Sequence, residues 1–470
     1  MQSFIYSKEE LKMSEQNEHI SELQSTETGL AREISLFGGV SILIGIMVGS
    51  GIFYLGSYVF MYTGNSQGLS ILAWVIGGIV TLISGLCYAE LGAMMPRAGG
   101  SYVYLREAYG KSVAFMSGFS GFILGSSGSI AALALAFAAM LNNFIPLSSS
   151  LQKVVAVLLI IFLTAVNYYG VKFGSWVQNL FTVAKLVPII IILGFGLVLG
   201  THTPDLSLTS AGSVNLMQVI SMIAMGVVAT LWAYEGWTNL NNVAEELKNP
   251  KRNLPLALII AIGVVMALYI TFNFAIYRVL SFAEITSAIA DGNLFLGTAV
   301  AQRVLGDFGS TLVGLGMLIS VFGATNGCVM VFPRQYYAMA KDGLFFKRVG
   351  DINPRTKTPG NAILLSALVS IILVFFRNLN QLTSLVVLQG LIFNGLIFLS
   401  VIIFRRKFPT IERPYRVWGY PFIPILAALV MVGLLANTLL TSDLSNSLIS
   451  LLIPALAYVI YLIIPKNQLQ

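Results

Sequence analysis

The chain has 470 residues, 56% hydrophobic and 10% charged, with a mean hydropathy of +0.83. Soluble domains carry about 25% charged residues, so the composition excludes a water-soluble globular protein and describes a polytopic, all-α membrane protein. The formal net charge of +7 would suit an acidic partner only if the cations clustered, and their positions follow a membrane topology instead.

Residues 1–33 are polar and largely acidic (EHISELQSTETGLARE), with no short apolar core followed by a cleavage site. They are expected to be a cytosolic tail without structure until the AREISLF stretch. A membrane domain is expected over 34–464 and a short cytosolic tail over 465–470. A spanning helix needs about 20 apolar residues. Such windows fall at 36–62, 70–94, 112–141, 152–169, 176–199, 216–243, 255–279, 309–340, 361–377, 382–404, 421–440 and 446–464, which makes twelve. The ninth is short, and the eighth is long and ends in PRQYYAMAKDG. With the N-terminus inside, 22 of the 27 Lys and Arg lie on the cytoplasmic side. Lys153, Arg278, Arg303 and Arg377 lie outside, and Lys185 lies within a span. This is a positive-inside pattern with both termini cytoplasmic, and it removes nucleic acid as a partner. Cys87 and Cys328 fall in apolar segments and read as buried small hydrophobes.

The first span contains IGIMVGSGIFYLG, with glycines at 45, 49, 51 and 56 and Ser50 between the middle two. Small, poor helix formers at mid-span favour unwinding. Unwound backbone in hydrocarbon is tolerated only where it lines a cavity or is buried in protein. The half-helix before such a break ends in free carbonyls that attract a cation. The half-helix after it begins with free N–H groups that attract an anion. An amino acid zwitterion needs both, side by side. The competing reading is that these glycines only let helices pack closely. A second interruption lies in the sixth span, MGVVATLWAYEGWTNLNNVAEEL, at Tyr234–Glu235–Gly236–Trp237. Spans one and six are where a five-plus-five inverted repeat places matching broken helices.

Five stretches together point to a family: VGSGIF (48–53), YAELGAMMPRAGGSYVYLREAYG (88–110), NLFTVAKLVP (179–188), WAYEGWTNLNNVAEELKNPKRNLP (232–255) and FGATNGCVMVFPRQYYAMAKDGLFFKRV (322–349). In these the chain resembles the amino acid–polyamine–organocation (APC) superfamily. It is most like the L-type amino acid transporter branch, which includes bacterial serine/threonine-type exchangers. The resemblance implies a LeuT-type fold with ten core helices over about 36–404 and two more over about 421–464, working by alternating access around a central site. It implies that Ser50, Gly51 and Ile52 offer N–H groups to a substrate carboxylate. The carbonyls of Met47, Trp232 and Glu235 would take the ammonium, and Trp232 would lie over the substrate as a gate. It places the Lys185 ammonium between spans one and eight, where sodium-coupled relatives hold an ion. Carbonyls near Gly45 and hydroxyls of Ser320 or Thr325 would be its partners, which removes the need for Na⁺. Human heteromeric members carry a cysteine after span three for a disulfide-linked heavy chain. The corresponding loop here, NNFIPLSSSLQ, has none, so no such partner is expected.

Ionisable groups within spans are functional by default. Lys185 sits in FTVAKLVPIII; its alternative is an ammonium that snorkels to the inner surface. Glu235 is a solvated vestibule charge, a proton carrier, or a group that widens selectivity toward cationic or small polar amino acids. Glu90, at the inner end of span two, is expected to pair locally with Arg97. The function expected is secondary active amino acid transport in the plasma membrane, as a Na⁺-independent exchanger of neutral L-amino acids. A proton-coupled symporter or a carrier of cationic amino acids is the near alternative. A membrane-embedded enzyme fits poorly, because the two histidines are His19 in the tail and His202 in an outer loop, and no H-E-x-x-H or G-x-S-x-G pattern occurs. No catalytic residue, metal or cofactor is expected. A channel is disfavoured by the lack of a repeated filter motif.

Overall fold

The computed structural model describes residues 18–24, 29–49, 51–142, 144–208, 215–292, 294–441 and 444–463. Among them the regular structure is helical, apart from one isolated bridge between Ile34 and Leu247. In chain order the helices are α1 (Leu36–Met47), α2 (Gly51–Tyr62), α3 (Gln67–Met94), α4 (Ser101–Tyr109), α5 (Lys111–Leu141), α6 (Ser149–Tyr168), α7 (Val171–Leu199) and α8 (Leu216–Tyr234). After a 3-10 segment (Trp237–Glu246) come α9 (Pro250–Val279), α10 (Phe282–Ala290), α11 (Leu296–Leu305), α12 (Asp307–Val331) and α13 (Pro333–Lys341). The chain closes with α14 (Gly360–Phe376), α15 (Leu379–Lys407), α16 (Phe422–Thr441) and α17 (Leu444–Ile463).

Among the described residues each of the twelve apolar windows is mainly helical, with breaks after Met47 in the first and after Tyr234 in the sixth. Among the same described residues, ten helical segments are long and apolar enough to cross a membrane, the α1–α2 pair passes jointly despite a 50° bend, and α14 is apolar but only 17 residues long. Local chemistry sets the ends. The Ser35 hydroxyl accepts the Gly38 N–H and starts α1. Asn215 with Gln218, and Asn378 with Gln381, form capping boxes at the starts of α8 and α15. Helix α8 stops where Glu235 is extended (φ −61°, ψ 146°) and Gly236 takes φ +117°, a conformation that side chains disfavour. Helix α9 packs on α3 and α1, α8 on α3 and α2, and α12 on α7 and α5. Helices α16 and α17 attach at the edge, to α15, α3 and the start of α5. Leu429, Val432 and Leu452 keep their outer side apolar and exposed, as lipid contact requires.

Three features depart from the expectations. Helix α5 contains a π-helical turn at Gly121–Ser126. The tail is not wholly without structure, because residues 18–24 are helical. There Ile20 and Leu23, one turn apart, are buried, and His19 Nε2 lies 2.8 Å from Glu107 Oε2. Arg97 donates to the Glu22 carbonyl (3.2 Å), and the Gln24 amide donates to the Glu412 carbonyl (3.0 Å). Thirdly, Glu90 does not pair with Arg97. It accepts two hydrogen bonds from Arg405 (2.9 and 2.7 Å) and one from the Val417 N–H (2.6 Å). Helix α3 ends at Met94, so Arg97 leaves the face that Glu90 occupies and lies 3.7 Å from Glu245 instead.

Candidate functional site

The two interruptions meet. A Cβ on Gly236 would stand 2.6 Å from Ile46 Cγ2 and 3.3 Å from the Met47 nitrogen, and one on Gly51 would stand 3.7 Å from Ala233 Cα. At Gly236 the φ of +117° and the 2.6 Å approach require glycine, whereas the Gly51 approach is ordinary contact. The Tyr269 hydroxyl, from α9, lies 2.8 Å from the Met47 carbonyl and 2.9 Å from the Ala233 carbonyl, so one buried phenol bridges both helix ends.

Beside this contact lies a cavity of about 150 Å³. Met47, Gly49 and Gly51 line it from the first break, and Trp232, Glu235 and Gly236 from the second. Its wall on α5 includes Ser117, Gly121, Gly125 and Ser129, small residues spaced four apart across the π-helical turn. Cys328 faces it from α12. The lining continues to Ser101, Asn242 and Gln335, toward the end of the bundle that carries α4 and α13.

The expected site residues fall as follows. Ser50 lies outside the described residues. Gly51 lines the cavity, whereas Ile52 is fully buried and does not. Trp232 and Glu235 are half-buried on the lining. The Trp232 carbonyl accepts the Glu235 N–H at 3.2 Å. The Met47 carbonyl already accepts the Gly49 N–H (3.0 Å) besides Tyr269. The phenol has one proton for two carbonyls, so Met47 has both lone pairs used only while Tyr269 donates to it rather than to Ala233, and a substrate ammonium would compete with that bond. Glu235 belongs to none of the ion pairs among the described residues. It also borders a smaller side cavity with Ser84, Trp237 and Asn394.

Lys185 is fully buried and does not snorkel. Its ammonium donates to the carbonyls of Gly45 (2.5 Å), Val48 (2.6 Å) and Ser320 (3.4 Å). The Ser320 hydroxyl donates to the Val48 carbonyl (2.8 Å) rather than contacting the lysine, and Thr325 bonds within its own helix to Val321 (2.7 Å). Gly45 lets α1 lie against α7, since a Cβ there would be 2.6 Å from Thr182 Oγ1. The lysine tops a polar row. The Thr182 hydroxyl reaches the Ser41 carbonyl (3.1 Å), and Asn326 donates to Gln178 Oε1 (2.9 Å) while accepting from Asn167 (2.9 Å).

Sequence reasoning missed Tyr269, Gln178, Asn326 and Asn167. A signal existed for part of the row, because Gly174, Gln178, Thr182 and Lys185 recur at helical spacing on one face of α7.

A model of the amino acid permease family matches residues 34–464. The chain is 35% identical over 428 residues to the serine/threonine exchanger SteT of Bacillus subtilis (strain 168), covering 91% of this chain and 95% of that one. It is 33% identical over 431 residues to the human b(0,+)-type amino acid transporter 1, covering 90% and 86%. To the human Asc-type amino acid transporter 1 it is 28% identical over 400 residues, covering 84% and 75%. Matched along almost its whole membrane domain, and similar over most of its length to proteins named as amino acid exchangers and transporters, the chain belongs to the amino acid permease family of the APC superfamily.

Proposed function

We propose that the protein is a Na⁺-independent exchanger of neutral L-amino acids. It would work by alternating access in the plasma membrane, through twelve spans of LeuT-type arrangement with both termini cytoplasmic. The observation that carries this reading is the Lys185 ammonium on the carbonyls of Gly45 and Val48. It supplies a fixed positive charge beside the first break, where a coupling cation would otherwise be needed. The N–H groups of Ser50, Gly51 and Ile52, at the start of α2, would receive the substrate carboxylate. The carbonyls of Met47, Trp232 and Glu235 would receive its ammonium, with the Tyr269 hydroxyl giving way at Met47. Trp232 would close over the bound molecule. The cavity extends toward Ser101, Asn242 and Gln335, at the end rich in Arg and Lys, which supports an inward-facing state. Its modest size, and a relative named for serine/threonine exchange, support small neutral substrates. The loop after α5 has no cysteine, and Cys87 and Cys328 are buried, which supports work without a disulfide-linked heavy chain.

A second reading has its own observation. Glu235 faces the cavity without a cationic partner among the described residues. A carboxylate so placed suits a cationic substrate or a coupled proton. Uptake of labelled amino acids into proteoliposomes tests both. Exchange requires an internal amino acid and is unchanged when choline replaces Na⁺. Uptake into empty vesicles driven by an inward proton gradient would replace the proposal with symport.

A further inference from the structure

Of the four cations expected on the outer side, Arg303 has an acidic partner, and Arg278 and Lys153 each reach a backbone carbonyl. Arg278 donates to the Gly200 carbonyl (2.6 Å) and Arg303 pairs with Glu284 (2.9 Å). Lys153 and Arg377 line one cavity of about 420 Å³. It lies between the outer ends of α5, α6, α14 and α15, and no acidic residue lines it. Lys153 donates to the Phe375 carbonyl (3.2 Å). The Arg377 guanidinium has no carboxylate or carbonyl partner among the described residues. Outer-side cations are disfavoured in membrane proteins, and two that line one acid-free cavity make it favourable for an anion. The rest of the lining is mixed, with Ser149, Gln152, Asn378 and Gln381 beside apolar side chains. Phe375 and Phe376 are 53% and 78% exposed at the rim, and Leu135 lines the wall.

We propose that this cavity binds a phosphate group. Arg377 and Lys153 would hold the oxygens, the guanidinium through paired N–H donors and the ammonium as a point charge. Phe375, Phe376 and Leu135 fit the glycerol and upper acyl chain of an anionic phospholipid. This site is separate from the central cavity and independent of the transport reading.

The test uses the full-length protein, purified and delipidated. Native mass spectrometry follows added phosphatidylglycerol, phosphatidylcholine and inorganic phosphate for wild type, Lys153→Gln/Arg377→Gln and, as a control on the same side, Arg303→Gln. Wild type and control should prefer phosphatidylglycerol over phosphatidylcholine by about tenfold, and the double variant should lose that preference. Inorganic phosphate displacing the lipid at millimolar concentration would keep the anion site but assign it to a soluble phosphate. Equal binding of the two lipids by wild type, or an undiminished preference in the double variant, overturns the proposal. Unchanged melting of the double variant in lipid-free detergent shows that it remains folded.

Discussion

Lys185 and Glu235 are both ionisable and both lie within spans, yet their surroundings are opposite. Lys185 is enclosed by backbone acceptors; Glu235 faces a cavity. Lys185→Ala leaves the Gly45 carbonyl without that donor, and an orphaned buried polar group costs about 1–3 kcal/mol. We expect a lower melting temperature and, because the lysine tether would then be missing from the state that needs it, an initial uptake rate reduced on the order of tenfold if about 1.4 kcal/mol of that cost falls on one transport state only, and Na⁺ should not restore it. For Glu235→Gln we expect neutral amino acid exchange to persist while competition by cationic amino acids weakens. An unaltered competition panel and pH profile would leave Glu235 as a vestibule charge. Both side chains were legible, because a charge inside an apolar run is conspicuous. Their partners were not, because carbonyl oxygens have no letter in a sequence. The same holds for Glu90, whose partner Arg405 is 315 residues away.

At the scale of elements, the breaks in spans one and six were legible from glycine and charge placed at mid-depth. Their mutual contact was not, since nothing local brings Gly236 to Ile46. Helix α9 supplies the tie through Tyr269. Removing that hydroxyl has two effects of opposite sign. Tyr269→Phe loses about 1 kcal/mol of net hydrogen bonding, so the protein should melt earlier. It also frees the Met47 carbonyl for a substrate ammonium, so the half-saturation concentration for uptake should fall. A rise in that concentration would show that the hydroxyl helps to hold the substrate rather than competing with it. The small-residue wall of α5 and the polar row of α7 follow the same logic, for each is a periodic pattern that gains meaning only once its neighbour is known.

For the whole molecule, hydropathy and the count of cations laid out the helices, because a bilayer imposes a one-dimensional pattern on the chain. The tail escaped this reading, since its docking depends on a composite surface. Glu107, on α4 between two spans, organises that surface. Its carboxylate meets His19 (2.8 Å) and Arg106 (2.8 Å), and its carbonyl accepts from Lys407 (2.7 Å). Burial alone would raise its pKa, but Arg106 and the His19 hydrogen bond outweigh burial and lower it from 4.5. A lowered carboxylate pKa stabilises the folded arrangement above the ordinary value, and that contribution is lost as pH falls through the lowered one. Residues 18–24 should therefore be protected from hydrogen exchange at pH 7, and their protection factors, taken against the intrinsic rate at each pH, should fall below pH 4.5. Glu107→Gln should weaken that protection already at pH 7. Exchange in the wild type as fast as in an isolated peptide would mean the tail is not docked in solution.

Cys328 stands on the wall of the central cavity, 2% exposed, while the other thiol, Cys87, is fully buried away from it. Both thiols are buried and so inert as the structure stands, but only Cys328 lines the cavity, so on the proposed transport path it would gain reactivity when that wall opens, while Cys87 stays quiet. The alkylation rate of Cys328 by a small thiol reagent measures how often that wall meets water, turnover by turnover. A transported amino acid should slow the labelling when it fills the cavity, and one that is not carried should leave it unchanged. Substrate identity then becomes readable from a mass shift on one peptide, without radiolabel or vesicle.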